Sequence, residues 1–251
     1  MATLWAKIVS EHDPTTIEFV GTTLVQGLFF WAPSFFYISL SSNFPSFSAK
    51  HKIQPTEKQP SRADIRECMQ VVFRNQLITA GIGVLSIAAA QGGGNPSAFR
   101  VTAALPSPFE FVRDLILCFI GREILFYYAH RLLHIPKLYR AVHKVHHRFT
   151  APVALSAQYA HPVEHILSNT LPIAIPPMAL RSHILTMWVF LAVMLLETST
   201  VHSGYDFFAG AARKHDAHHK LSNVNFGGRG WLDWLHGTGE SKKPMKKLRL
   251  N

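Results

Sequence analysis

The placement of histidines against apolar runs constrains this chain most. HRLLH (130–134) and HKVHH (143–147) put five histidines into eighteen residues. HDAHH (215–219) repeats the second form, and HPVEH (161–165) and His202, in HSGYD, lie between them. On a helix, residues three and four apart share a face. His130 and His134 are therefore expected to point one way. The same spacing predicts one face for His143, His146 and His147, apart from a small splay between the last two, and a repeat of it for His215, His218 and His219. Neutral imidazole is the commonest protein metal ligand, and a single tetrahedral ion takes only about four donors. His130, His134, His143, His146, His147, His161, His165, His202, His215, His218 and His219 exceed that, so two metals are inferred. Imidazole suits zinc, copper, iron and nickel alike, which leaves the metal open. His12, His51, His183 and His236 have no partner at ligand spacing.

The second constraint is how little charge separates the apolar runs. The chain has 251 residues, of which 48% are hydrophobic and 16% charged. That charged share is low for a soluble domain. Ile17–Leu40 is long enough to cross a hydrocarbon core of ~30 Å, with a kink expected at Pro33. Residues 41–70 read as a polar loop and Val71–Ala90 as a second apolar helix. QGGGNPS (91–97) reads as a turn, carrying neither a Walker pattern nor GxGxxG. Pro108 is placed to start a helix near Phe109–His134. Within it Glu123, two turns before His130, is a candidate support for a ligand. Residues 148–165 read as a loop and short helices over the metal site. Ile166–Leu180 and Ile184–Thr200 are expected to form a hairpin that enters and leaves the membrane on one side, with residues 181–183 as its polar tip. The fold class expected is all-α: an integral membrane helical bundle with a cytosolic, histidine-rich di-metal cap. Residues 1–108 would be the N-terminal membrane region and cytosolic loop, 109–240 the catalytic domain, and 241–251 a basic tail.

Charge gives the bundle an orientation. The net charge is +10, but no nucleic-acid motif accompanies it, so the basic balance points to an anionic membrane surface. Lys50, Lys52, Lys58, Arg62 and Arg66 crowd into 41–70, whereas 91–108 holds only Arg100. The positive-inside rule then puts 41–70 in the cytosol, and counting crossings brings every candidate ligand to that same face. With two cysteines, Cys68 and Cys118, no disulfide framework is indicated. No cleavable secretory signal is expected, because Glu11, His12 and Asp13 precede the first apolar run.

The ordered set HRLLH, HKVHHRFTAP, YAHPVE, HSGYDF and HDAHH resembles the fatty acid hydroxylase superfamily, or sterol desaturase family. HKVHH followed by TAP, the YAHP segment and HSGYD are most similar to sterol C-4 methyl oxidases. The resemblance covers about residues 65 to 240. It implies a multi-pass enzyme of the endoplasmic reticulum with its active site toward the cytosol and two iron ions held by histidines. It implies oxidation of a lipid carbon–hydrogen bond by dioxygen, with a methyl group of a sterol-like or terpenoid molecule as the target. Electrons would come from NAD(P)H through a separate cytochrome b5 or reductase, and the chain itself has no dinucleotide fingerprint and no HPGG haem segment. By that resemblance His130, His134, His143, His146, His147, His202, His215, His218 and His219 are metal ligands, with His161 and His165 as further candidates. Gln158 stands where the family pattern leads one to expect a glutamate, and Lys214 where it leads one to expect a further histidine, which opens the substrate to secondary metabolism. Two other readings stand beside this one: a sphingoid or fatty acyl hydroxylase or desaturase of the same superfamily, and a zinc-binding membrane protein without catalysis.

Overall fold

The computed structural model describes residues 2–92, 97–207 and 210–240. The basic tail and residues 93–96 of the expected turn lie outside them. Among the described residues every regular element is helical, with no strand and only two isolated bridges. They form α1 (Ala2–Glu11), α2 (Pro14–Gln26), α3 (Ala32–Asn43), α4 (Pro45–His51), α5 (Arg62–Gly92) and α6 (Pro108–Leu133). These are followed by α7 (Pro136–Ala141), α8 (Pro162–Glu164), α9 (Leu171–Ala179), α10 (Ile184–Val201), α11 (Ala211–Leu221) and α12 (Trp231–His236).

Proline and a hydrogen-bonding cap start several of these helices. Pro14 follows Asp13, whose carboxylate accepts from Thr15 N (2.9 Å) and Thr16 N (3.1 Å). Pro108 follows Ser107, whose hydroxyl accepts from Glu110 N (3.2 Å). A proline at the first helical position loses no hydrogen bond that the helix would otherwise make. Inside a helix proline cannot donate, and its ring meets the carbonyl four residues back. The chain answers this twice in the same way. A π-helical stretch, Gly27–Trp31, precedes Pro33, and another, His165–Thr170, precedes Pro172. The expected kink at Pro33 is thus a local widening of a helix that continues from Pro14 to Asn43.

Three segments are long and apolar enough to cross a membrane: Pro14–Asn43, Arg62–Ala89 and Ile184–Val201. The helix expected from Val71 begins nine residues earlier, at Arg62, and runs on through Gly92. The loop expected over 41–70 therefore shrinks to α4, a short 3-10 turn and their connections. α6 is as long as a membrane span but carries charges, and their distribution explains how. Asp114 and Glu123 are buried, whereas Val112, Ile116, Ile120, Ile124, Tyr128 and Leu132 form an exposed outward stripe. Polar side chains turned inward and apolar ones outward are what a helix facing lipid requires.

One core joins the two halves of the chain. Trp5, Ile17, Phe30, Cys68 and Val72 pack with Phe149, Leu155, Ile184 and Met187. The ends of the helices sort into two layers. At one end Arg100 N donates to Ser182 O (3.1 Å) and Trp5 Nε1 to Thr102 O (2.8 Å). Ser182 and His183 are buried there, so the expected polar tip is packed against 97–102. At the other end Ile53 N donates to Gly204 O (2.9 Å) and Gln54 Nε2 to Asp216 Oδ1 (2.8 Å). That contact sets residues 45–61 directly on the histidine-bearing segments.

Candidate metal centre

Four helix ends supply the histidines. His130 lies in the last turn of α6 and His134 caps it; His143–Arg148 is a 3-10 helix, His202 caps α10, and α11 carries His215, His218 and His219. The side chains gather into two groups. His130, His134, His143, His147 and His218 form one, and His146, His202, His215 and His219 the other; within each, one ring nitrogen per residue lies within 4.8 Å of all the rest. The groups abut, with the rings of His147 and His219 4.9 Å apart.

Each triplet is therefore divided, where the spacing had predicted one shared face. The outer members of HKVHH reach the first group and its middle histidine the second. HDAHH does the reverse. On α11, with 3.6 residues per turn, i and i+4 differ by ~40° about the axis, while i+3 and i+4 differ by ~100°. Centres on either side of that face therefore take His215 and His219 on one hand and His218 on the other, and HKVHH, on its 3-10 helix, makes the complementary division.

The hydrogen bonds at the far side of each ring fix which nitrogen is free. His130 Nδ1 donates to Phe226 O (2.7 Å), His218 Nδ1 to Val224 O (2.7 Å), His146 Nδ1 to Tyr159 O (3.1 Å) and His202 Nδ1 to Thr198 O (2.9 Å). His143 Nδ1 donates to the Glu164 carboxylate (2.7 Å). With the proton on Nδ1, each of these rings presents a bare lone pair at Nε2. Those lone pairs face one another: His143 Nε2 stands 3.1 Å from His130 Nε2, 2.9 Å from His134 Nε2 and 3.1 Å from His147 Nε2. In the second group His215 Nε2 is 2.7 Å from His202 Nε2 and 3.0 Å from His219 Nε2. His218 Nε2 is buried with no hydrogen-bond partner. Such separations match donors on one ion at a metal–nitrogen distance of ~2.1 Å. The donor set fits a pair of metal cations, and both centres would take neutral imidazole.

Burial reinforces that protonation state. Desolvation pushes His146 down to about 4 and His202 to about 3, against an ordinary imidazole value of 6.5. It also drives His143, His147, His215, His218 and His219 well below that range, with their neighbouring imidazoles adding to the effect. Desolvation raises the buried carboxyl of Glu164 in turn.

His161 and His165 stand outside both groups. His161 caps α8, its Nδ1 accepting from Val163 N (3.2 Å). His165 is buried against Thr79 Oγ1 (3.1 Å) and lies 3.4 Å from the Asn169 amide. Glu123 supports the centre indirectly. Its carboxylate accepts from Gly228 N (3.2 Å) and Arg229 N (2.8 Å), which holds the turn whose Phe226 carbonyl anchors His130. Sequence reasoning missed Glu164, although its place in the HPVE segment was the available signal. It also missed the backbone carbonyls, which have no side-chain signature.

A cavity of about 410 Å³ opens from both groups between α6, α9 and α10. Phe126, Ile173, Met194 and Leu195 line it, and Arg122 and Gln158 add polar edges.

Two abutting, buried, all-imidazole groups at one end of a bundle with three helices long and apolar enough to cross a membrane define the class as a helical membrane protein with a histidine-rich candidate metal centre. The chain belongs to the fatty acid hydroxylase family, whose model matches residues 115–238. It is 34% identical over 250 residues to fatty acid hydroxylase domain-containing protein 2 of Homo sapiens, covering 96% of this chain and 73% of that one. It is 28% identical over 260 residues to methylsterol monooxygenase 2-2 of Arabidopsis thaliana, covering 98% and 95%. It is also 28% identical over 260 residues to the very-long-chain aldehyde decarbonylase GL1-8 of Oryza sativa subsp. japonica, covering 97% and 93%. No solved structure matches.

Proposed function

We propose that this chain is a membrane-bound di-iron oxygenase that oxidises a lipid carbon–hydrogen bond, with a methyl group of a sterol-like or terpenoid molecule as its target. His130, His134, His143, His147 and His218 would hold one iron, and His146, His202, His215 and His219 the other. The reading is carried by the reciprocal division of the two triplets between groups that open onto one cavity. Bound iron would supply the redox power to activate dioxygen, which no side chain can provide. The chain's own residues supply position. Five rings are held by carbonyls or by Glu164, so their lone pairs need no reorganisation. Phe126, Ile173, Met194 and Leu195 exclude water and guide an apolar group toward the Nε2 ends, while Arg122 and Gln158 offer hydrogen-bond donors to a polar substituent.

The same reading places the protein in the endoplasmic reticulum with the metal centre toward the cytosol, taking electrons from NAD(P)H through cytochrome b5 or a reductase. The basic residues of 41–70 lie at the same end as the histidines, which suits docking of an acidic carrier.

The test is purified protein reconstituted with iron and a reducing system. The expected result is two irons per chain and NAD(P)H-dependent dioxygen uptake with a 4-methylsterol, with the uptake and about one of the two irons lost in His146→Ala. Zinc content without uptake would reject the oxygenase. Conversion of fatty acyl or sphingoid chains but of no cyclic lipid would move the substrate assignment to those chains.

A further inference from the structure

A second cavity, of about 250 Å³, lies beside the metal centre and is not part of it. It sits where the first membrane helix ends and the second begins. The C-terminal turn of α3, α4, the 52–60 connection and the start of α5 form its walls, with Val153, Ala154 and Ser203 behind. Its lining includes Lys52 and Arg62, the hydroxyls of Ser41, Ser42 and Ser48, and the Gln59 amide, but no carboxylate.

Neither cation is neutralised elsewhere. Among the described residues no Asp or Glu oxygen comes within 4.0 Å of Lys52 or Arg62. The nearby acids of α5 are engaged by Arg148, which pairs with Asp64 (3.1 Å) and with Glu67. Lys52 Nζ donates one hydrogen to Ser203 O (2.9 Å) and lies 4.3 Å from the centroid of the Tyr205 ring. An ammonium has three donors, so capacity remains on the cavity side. The ammonium is held in a poorly solvated place, and burial brings Lys52 down to about 8. A half-buried cation without a counter-ion, in a hydroxyl-lined cavity, is electrostatically incomplete.

We propose that this cavity binds the phosphate of an anionic phospholipid, with Lys52 and Arg62 as its cationic partners and Ser42 as a hydroxyl donor. Phosphate oxygens are strong acceptors and take charge-assisted hydrogen bonds from both kinds of cation. A phospholipid suits the site better than a free ion because of what surrounds it. Phe36 on α3, Phe47 on α4 and Phe44 between them are exposed, at the level where a membrane helix passes from acyl chains to headgroups. Aromatic side chains are enriched at that level. The back wall ends at Ser203, next to His202, so a bound headgroup would brace the segment that carries a candidate ligand.

The experiment uses the full chain, delipidated in neutral detergent, and reads binding by native mass spectrometry. Dioleoyl phosphatidic acid is compared with dioleoylglycerol, which has the same acyl chains without phosphate, and with inorganic phosphate. The expected result is a retained phosphatidic acid, no retained dioleoylglycerol, and affinity at least tenfold weaker in Lys52→Gln. Arg62→Gln should weaken binding severalfold, which keeps the test open if Lys52→Gln does not fold. Unchanged metal content in these variants would separate this site from the metal centre. Equal retention of the two lipids, or wild-type affinity in a folded Lys52→Gln or Arg62→Gln, would overturn the proposal. Binding of inorganic phosphate without phosphatidic acid would overturn it too, since it would remove the lipid as the source.

Discussion

Glu164 shows how much of the centre rests on single atoms. Its carboxylate accepts from His143 Nδ1 at 2.7 Å and is buried with that ring. His143 in turn presents Nε2 to three other imidazoles, so a ring left free to turn would withdraw a donor from the middle of its group. Outer partners of this kind are worth ~10–100-fold in metal affinity or activity. Glu164→Ala is expected to lose that much iron affinity, read by titrating metal into the metal-free protein. Glu164→Gln keeps an acceptor oxygen and should recover part of the loss. A pH effect follows from the same burial. The folded values of His146 and His202 lie near 4 and 3, below the ordinary 6.5. Between those values and ~6.5 the unfolded chain binds protons that the folded one refuses. Stability of the metal-free protein is therefore full above pH ~6.5 and declines as pH falls toward 4. Thermal unfolding from pH 8 to pH 5 should show Tm falling on the acid side, whereas a flat profile would contradict the buried neutral set. The histidines themselves were legible because a ligand pattern is written in side chains. Glu164 was half legible, inside a motif but without a stated task. The Phe226, Val224, Tyr159 and Thr198 carbonyls were not legible, since any residue type carries the same oxygen.

At the scale of elements, spacing predicted that each triplet would make one face, and the structure divides it. For HDAHH the prediction failed because three histidines within five residues occupy ~100° of an α-helix, wide enough for a centre on each side; for HKVHH it failed because the segment is a 3-10 helix, to which α-helical spacing does not apply. Metal counting can test the division. His218→Ala and His219→Ala are neighbours in sequence but touch different groups. Each single variant is expected to lose about one of the two ions of a di-metal centre, and the double variant both. His143→Ala with His218→Ala, far apart in sequence but in one group, should lose no more than one. If each triplet served its own metal, the two double variants would exchange behaviour. Helix approach was also illegible, because small residues mark it only once the partner is known. A β-carbon on Gly21 would run into the ring of Trp188 on α10, and one on Gly121 would meet Pro176 of α9 at 3.1 Å. Gly21→Ala should destabilise the α2–α10 pair by about 1–3 kcal/mol, the usual cost of overpacking, seen as a lowered Tm in detergent. No change in Tm would mean that Trp188 turns aside freely.

At the scale of the whole molecule, the arrangement depends on one topological fact: the nine histidines of the two groups sit together at one end of the bundle. The charge contrast between 41–70 and 91–108, with the crossings counted, anticipated that agreement, and contacts such as Gln54 with Asp216 join the same two regions directly. The opposite layer is equally well defined, with 97–102 bound to residues 181–184. Sidedness can then be tested independently of activity, since both native cysteines are buried and stay silent toward an impermeant maleimide. Lys58→Cys lies within the basic segment and Lys137→Cys just beyond the first histidine pair, while Ala104→Cys lies in the opposite layer; all three positions are exposed. In sealed microsomes with the cytosolic face outward, the first two should label at once and Ala104→Cys only after permeabilisation. The reverse pattern would turn the candidate metal centre toward the lumen, out of reach of a cytosolic carrier, and would overturn the electron route proposed above. Labelling of Lys58→Cys and Lys137→Cys from opposite sides would do more damage. It would separate the basic segment from the histidine cap, and with it the contacts that let helices from both halves of the chain close around one pair of metals.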